Sequence, residues 1–494
     1  MLIIAVPSAV ILLLLYGSKR YILDRLFYKL PPGPFPFPFL GTGYLFSDDP
    51  RSKPWVSFKQ LADKYGNLYT FYLGQSRMIV LSEAKLIHKL LVGKPKCYSS
   101  RADHLMPGFG GNYPDSVISA EGTDWVEYRR LCNKGLRTFG LGSNRMLLKV
   151  QEEAGYLAQE LVNRQDIVET KFSKLVANAV GNVIYSQIFG GRLEYGEPKF
   201  IELMQISDTF FERPFKESAY FFAFPFMKYF SLPPEVADLK EIYAFVTKNV
   251  LEAFEQFDGL PKDQNPENFI EMMSQEGIIP GTEKFMNYSA TMGDMLIAGL
   301  ETTATAITWT VVMLCKYPEI QTKCQQEIDE VVGSDRFANS SDRSKMIYLE
   351  SVMNEILRWV TVAPNALFHA VKNESDIVDG YDVPAGTMIM YNIWAVHHDQ
   401  EYWKDPEVFR PGRWVGENGE ILEHANYFIP FGSGPRKCLG ENLARLEYFI
   451  FLVTILQRFR FTFPSDDYDI DLLNSRHGIT NVPPKFDVLI KSRF

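Results

Sequence analysis

The chain of 494 residues is 46% hydrophobic and 14% aromatic, enough to bury a large core and unlike the composition of a disordered protein. A formal net charge of −9 argues against wholesale nucleic-acid binding. The 5 cysteines (Cys97, Cys132, Cys315, Cys324 and Cys438) are odd in number and lack paired spacing, which argues against a disulfide framework or a zinc knuckle and for a reducing, cytosol-facing compartment.

In chain order, residues 1–17, "MLIIAVPSAVILLLLYG", form an almost wholly apolar run followed by Lys19 and Arg20. The run is short for a bilayer span, which needs about 17–25 residues. Basic residues follow it rather than precede it and no small-residue cleavage site comes next, so a retained anchor is expected in preference to a cleaved signal. The positive-inside rule leaves the remainder in the cytosol. Residues 18–49, basic and then proline-rich ("KLPPGPFPFPFLG"), read as a stiff spacer, because closely spaced prolines favour extended chain. Residues 50–494 contain no Gly/Ser-rich linker or repeat and are expected to form one unit.

Within that unit "NLYTFYLG" and "RMIVLS" read as a β-hairpin turning at Gly74–Ser76. Apolar residues at three- and four-residue spacing predict helices over Val150–Val162, Pro318–Val332 and Leu349–Val360. "YDVPAGTMIMYNIW" and "KFDVLIKS" read as strands, so the expected class is mainly α with minor β. The stretch from Ser289 to Tyr317 is apolar enough for a membrane span, but Asp294 and Glu301 inside it favour a buried central helix. Gly299 in that helix is expected to admit another body close to the backbone. Thr302 is expected to bond a carbonyl one turn back. Glu355 and Arg358 fall on one helix face, and Arg413 lies in an irregular Pro/Gly segment that such a pair could pin.

Near the end, "FGSGPRKCLG" places Cys438 in a turn between Gly434 and Gly440, with Arg436 and Lys437 before it and a helix opening after it. Neighbouring cations and a helix N-terminus predict a stabilised thiolate. A thiolate so placed is suited to hold haem iron. A reactive nucleophile is the rival, but it needs a nearby base and no histidine lies in the loop.

The loop resembles the haem-binding segment F-x-x-G-x-R-x-C-x-G of the cytochrome P-450 family at every fixed position, Phe431 and Gly440 included. "AGLETT" (298–303) is similar to the family's oxygen-binding segment, "EILR" to its E-x-x-R, "FRPGRW" to the segment supplying the third member of that network, and "WVEYR" (125–129) to its W-x-x-x-R. All occur in the family's order, and phrases such as "LRTFGLGSNR" are most like the animal microsomal steroid- and drug-metabolising clan. Gly412 and Trp414 depart from it, standing where many members have Glu and Phe, which puts local packing there in doubt.

The resemblance implies a single-domain helical fold around haem b, with Cys438 as the proximal iron ligand. It implies propionate contacts from Trp125, Arg129, His369 and Arg436, proton delivery by Glu301 and Thr302, and a structural network of Glu355, Arg358 and Arg413. It implies a monooxygenase that inserts one atom of dioxygen into an apolar small molecule (steroid, fatty acid, terpenoid or xenobiotic). Electrons come from NADPH through a reductase, with cytochrome b5 a further candidate partner. It implies an endoplasmic-reticulum membrane location with one N-terminal anchor. A reductase-independent isomerase or dehydratase, and a non-catalytic haem carrier or sensor, remain open as alternatives. Phe210, Phe211, Phe215, Phe221, Phe222, Phe224 and Phe226 are candidates for a pocket roof or for core packing. Val362, Ala363, Ala366, Leu367, Gly478 and Ile479 are candidate pocket positions.

Overall fold

The structure, a computed structural model, describes the chain except Met1, residues 46–52, 102–113, 140–143, 214–229, 232–233 and 256–263, and Ala425, with side chains for the rest apart from 2–13, 44, 212, 235 and 477. Helices dominate it, and small sheets lie at one side and near the C-terminus. The hairpin forms as expected: Leu68–Leu73 and Ser76–Leu81 pair antiparallel, and Gly74 at φ 57° makes the tight turn. Ser76–Leu81 then pairs in parallel with Thr387–Tyr391, which pairs antiparallel with His369–Val371. "YDVPAGTMIMYNIW" is therefore not one strand. It divides into Tyr381–Val383, a turn with Gly386 at φ 76°, Thr387–Tyr391, and a helix from Ile393 capped by Asn392. The C-terminal strand is Val488–Ser492.

The long helix runs from Glu283 to Lys316. The Thr282 hydroxyl caps its N-terminus by accepting from the Phe285 N–H, and Pro318 follows its end. Its most apolar window is 78% buried inside the protein, so it is a core helix. It packs most closely on Phe172–Phe189. The glycines explain that approach. A Cβ on Gly299 would meet Ile184 at 3.2 Å, and one on Gly181 would meet Leu300 at 2.3 Å. The body that Gly299 admits is thus the neighbouring helix. On another side stands the helix Glu441–Arg458, with the Tyr448 and Thr310 hydroxyls 2.6 Å apart.

The other expected helices form, two of them with extended N-termini, as Asn144–Val162 and Ile347–Val360, and the third as Pro318–Val331. The N-terminal helix runs from Leu2 to Phe27, through the position where the apolar run ends. Of the candidate roof aromatics, Phe210 and Phe211 are buried in the main core, and Phe215, Phe221, Phe222, Phe224 and Phe226 lie outside the described residues.

Candidate active site

Two glycines shape the loop around Cys438. Gly432 and Gly434 both adopt φ 78°, a region costly for residues with a Cβ. A Cβ would also strike the Tyr391 hydroxyl at 2.8 Å in the first case and the Leu91 carbonyl oxygen at 2.6 Å in the second. The Cys438 N–H donates to the Phe431 carbonyl at 2.9 Å and closes the turn. Gly440 is different: it sits at φ −87° as the cap of Glu441–Arg458, with open space where a Cβ would be.

Cys438 is exposed, yet protein surrounds the sulfur closely enough that burial pushes its pKa up. The Gly440 N–H, Arg129 and Lys437 oppose that rise without reversing it. This corrects the expectation of a thiolate stabilised by its basic neighbours. Arg436 turns away from the sulfur and donates to the carbonyls of Ser99, Ile118 and Ala120 at 2.9, 3.3 and 2.6 Å.

The central helix shows a matching opening. Its flanks are buried, but Ala298 is exposed and Gly299, Glu301 and Thr302 are half-buried. Ala298 and Thr302 share one helix face, which therefore lines a space. The Thr302 hydroxyl donates to the Ala298 carbonyl at 2.8 Å, as its position predicted, and keeps its lone pairs for an incoming donor. The Thr305 hydroxyl lies 3.3 Å from a Glu301 carboxylate oxygen.

Beside the cysteine loop several cations gather. The Trp125 ring lies 4.7 Å from the Arg436 guanidinium and 5.7 Å from that of Arg129, while its indole N–H is buried with no partner among the described residues. Arg129 donates to the Lys437 carbonyl at 2.9 Å. Arg101, which the sequence reading missed, donates to the carbonyls of Ile118 and Phe368 at 3.0 and 2.8 Å. Burial first and cationic neighbours second pull Arg436 down to about 9, and burial pulls Arg101 down to about 10. His369 is also buried; burial and then Arg101 lower its pKa to about 3, and its Nδ1 bonds the Tyr98 carbonyl at 2.7 Å. No sequence pattern marks Arg101, because it belongs to no local motif.

The expected network forms completely. Glu355 and Arg358 have 0% exposed side chains. The Glu355 carboxylate accepts five hydrogen bonds: from Arg358 Nε and Nη2, from Arg413 Nε, from the Arg410 N–H and from the Trp414 indole, all at 2.8–3.0 Å. Arg358 Nη1 reaches the His397 carbonyl, and His397 Nε2 in turn accepts from the Ile429 N–H at 3.1 Å, just before the cysteine loop. Asp294 does comparable work above. It accepts from the Tyr243 hydroxyl at 2.7 Å and the Ile118 N–H at 2.9 Å, and so holds the stretch whose carbonyls engage Arg101 and Arg436. Burial raises Asp294 to about 6 against these bonds.

The cytochrome P450 family model matches residues 31–490. The chain is a cytochrome P450. It is 32% identical over 480 residues to cytochrome P450 2E1 of Bos taurus, covering 94% of each chain. It is 32% identical over 510 residues to cytochrome P450 2B4 of Oryctolagus cuniculus, covering 100% of this chain and 99% of that one. With cytochrome P450 2U1 of Homo sapiens it shares 30% identity over 496 residues, 94% of this chain and 89% of the other.

As a cytochrome P450 it is a haem-dependent monooxygenase. The residues present fit haem b. The partnerless Trp125 N–H and the crowded guanidiniums of Arg101, Arg129 and Arg436 are what two carboxylates would satisfy. His369, kept neutral by burial first and by Arg101 second, would regain basicity beside an anion. Cys438 offers a soft ligand, and among the described residues no cluster of three or more His, Cys, Asp or Glu could hold a bare ion. When bound, haem supplies the oxygen chemistry. The residues that stand on the open face of the central helix are Ala298, Glu301 and Thr302, with the Thr302 hydroxyl free to accept a further hydrogen bond.

Proposed function

We propose that this cytochrome P450 oxidises an apolar small molecule (a steroid, fatty acid, terpenoid or xenobiotic) with electrons from NADPH delivered by a cytochrome reductase, cytochrome b5 being a second donor. The observation that carries the reading is the open Ala298–Thr302 face in an otherwise buried helix. It sets a small apolar residue for substrate contact one turn from the Thr302 hydroxyl and next to the Glu301 carboxylate. Leu367 and Ile479, 37% and 43% exposed, support an apolar pocket, with Val362, Ala363 and Ala366 half-buried nearby in the chain. Gly478 supports a neighbouring wall, since a Cβ there would meet the Phe211 carbonyl oxygen at 2.2 Å.

For the reductase, Arg130, Lys134 and Arg137 are exposed on one face of the helix Gly122–Thr138. Arg129 on the same helix reaches the carbonyl beside Cys438. A basic face so close to the sulfur suits an acidic electron donor. The body is placed on the cytosolic side of the endoplasmic reticulum, held by residues 1–17 as a single-pass anchor. A spectral binding screen of steroids, fatty acids, retinoids and terpenoids, followed by turnover with NADPH and purified reductase, tests the proposal. Product without NADPH would indicate an isomerase or dehydratase instead, and bound haem with no product from any of these classes would indicate a carrier.

A further inference from the structure

Residues 18–27 carry contacts that a spacer does not need. The helix Leu2–Phe27 passes through Gly17 without a break. Gly17 is buried under the Phe39 ring, which a Cβ would meet at 2.6 Å, and the Phe39 N–H donates to the Gly17 carbonyl at 3.2 Å. Gly17 is thus a packing notch. Two turns later Asp24 is 2% exposed and pairs with Arg77 of the hairpin, Nη1 to Oδ1, at 2.5 Å. Its second oxygen accepts from the Tyr72 hydroxyl at 2.8 Å, and Arg20 lies 3.4 Å from the first. Arg77, also 2% exposed, is held by the Thr387 hydroxyl at 2.8 Å on the adjoining strand. The Tyr21 hydroxyl donates to the Gly74 carbonyl at 2.9 Å. Beyond the helix, Lys29 and Asp382 exchange two hydrogen bonds, at 2.7 and 2.9 Å. A buried ion pair with satisfied oxygens specifies one geometry, because any other arrangement strands a charge.

The opposite side of this helix is apolar and open. Tyr16, Leu26 and Phe27 are 64%, 71% and 72% exposed, Ile22 and Leu23 are exposed too, and Leu40 on the turn beside Gly17 is 54% exposed. Single exposed apolar residues are ordinary, but a run along one element is a surface for something. Lipid is the occupant that the chain's dimensions call for. As helix, the apolar residues 1–17 reach about 25 Å, short of a hydrocarbon core of about 30 Å. After Lys19 and Arg20 the exposed Ile22, Leu23, Leu26 and Phe27 continue the apolar surface, with the exposed Arg25 among them. The one acid among them, costly at that depth, is enclosed with its partner.

We propose that the Asp24–Arg77 latch makes the N-terminal helix a rigid arm of the catalytic body, and that the arm's last turns, together with Leu40, are held in the lipid interface. The proposal rests on reading residues 1–17 as a membrane anchor. The test uses the full-length haem protein in phosphatidylcholine vesicles, with the half-buried Cys97 and Cys315 replaced by serine. Nitroxides are placed at Leu14→Cys, Phe27→Cys and, on an exposed strand of the body, Ile377→Cys. The expected result is oxygen-accessible, nickel-chelate-shielded labels at 14 and 27, the reverse at 377, and a narrow 14–377 distance distribution. Asp24→Asn is expected to lose the narrow peak while keeping the thiolate spectrum. A label at 27 in water with that at 14 in lipid overturns the lipid contact and leaves the anchor standing. Both labels in water overturn the anchor reading and the proposal together. A broad 14–377 distribution in the unaltered latch, or an unchanged narrow one in Asp24→Asn, overturns the latch. Should Asp24→Asn lose the thiolate spectrum, the width in the unaltered latch decides.

Discussion

Thr302 donates its hydroxyl to its own helix and faces the opening with its remaining lone pairs, so, if it delivers protons as proposed, its loss removes a proton carrier and little else. Thr302→Ala is expected to cost about 1 kcal/mol in stability, the worth of one hydrogen bond. Haem content, thiolate spectrum and substrate affinity should be kept. NADPH consumption should continue while product per NADPH falls and hydrogen peroxide rises, read by measuring all three in one reaction. Undiminished coupling would return Thr302 to the role of an ordinary helix hydroxyl. Cys438 has the opposite profile. Its thiol is buried enough to stay protonated unless a metal draws the charge, so Cys438→Ala should abolish the long-wavelength Soret band of the reduced, carbon monoxide-bound protein. A histidine-like spectrum in the folded wild type would show that the sulfur is not the ligand.

Packed elements communicate through the few polar groups at their contacts. Trp414 is such a group: its indole N–H bonds Glu355 at 2.9 Å and its ring packs edge-to-face on Phe428, 4.5 Å away, on the approach to the cysteine loop. A Phe at this position could pack but not donate. Trp414→Phe should cost about 1.5–3 kcal/mol, the value of a hydrogen bond to a charged group. It should hasten loss of the thiolate spectrum on warming. Glu355→Ala should be worse, at about 3–5 kcal/mol, because it leaves Arg358 buried without its partner, and the protein should fail to retain haem. Haem content and thermal loss of the carbon monoxide band in both variants check the order. Glu447 joins the helix after Cys438 to the central helix. It is 3% exposed, and burial raises its pKa from 4.5 to about 8 against a hydrogen bond with Thr303. The folded state thus holds a proton there that the unfolded chain has released, so this contribution is present at low pH and is lost as pH rises through that interval. Glu447→Gln, neutral throughout, should gain in Tm relative to wild type between about pH 5 and pH 9.

For the molecule as a whole, orientation across the membrane is open to a chemical test through three N-x-S/T patterns, and the fold sorts them. Asn287 is buried, donating to the Tyr128 hydroxyl and accepting from the Asp115 N–H. Asn339 is half-buried and accepts from Ser341. Asn373 is exposed and is the decisive site. With the body in the cytosol, Asn373 should carry no glycan in the native host, by mass spectrometry; a glycan there would place the body in the lumen.

What the sequence determined by itself is what is local. The cysteine turn, the Glu355–Arg358 spacing, the hairpin and the buried character of the central helix each depend on residues a few positions apart, where backbone geometry and helix periodicity decide the outcome. The composite strand at 381–394 was misread because β-branched and apolar residues continue across Gly386, whose positive φ ends one strand and starts the next. Only the tertiary structure decided contacts between distant segments: Arg101 meeting the Phe368 carbonyl across 267 positions, Gly299 seating Ile184, Trp414 becoming a fifth donor to Glu355, and Asp24 finding Arg77. Those pairings follow from which faces the helices bury against one another, a property of the assembled core that no single stretch of chain contains.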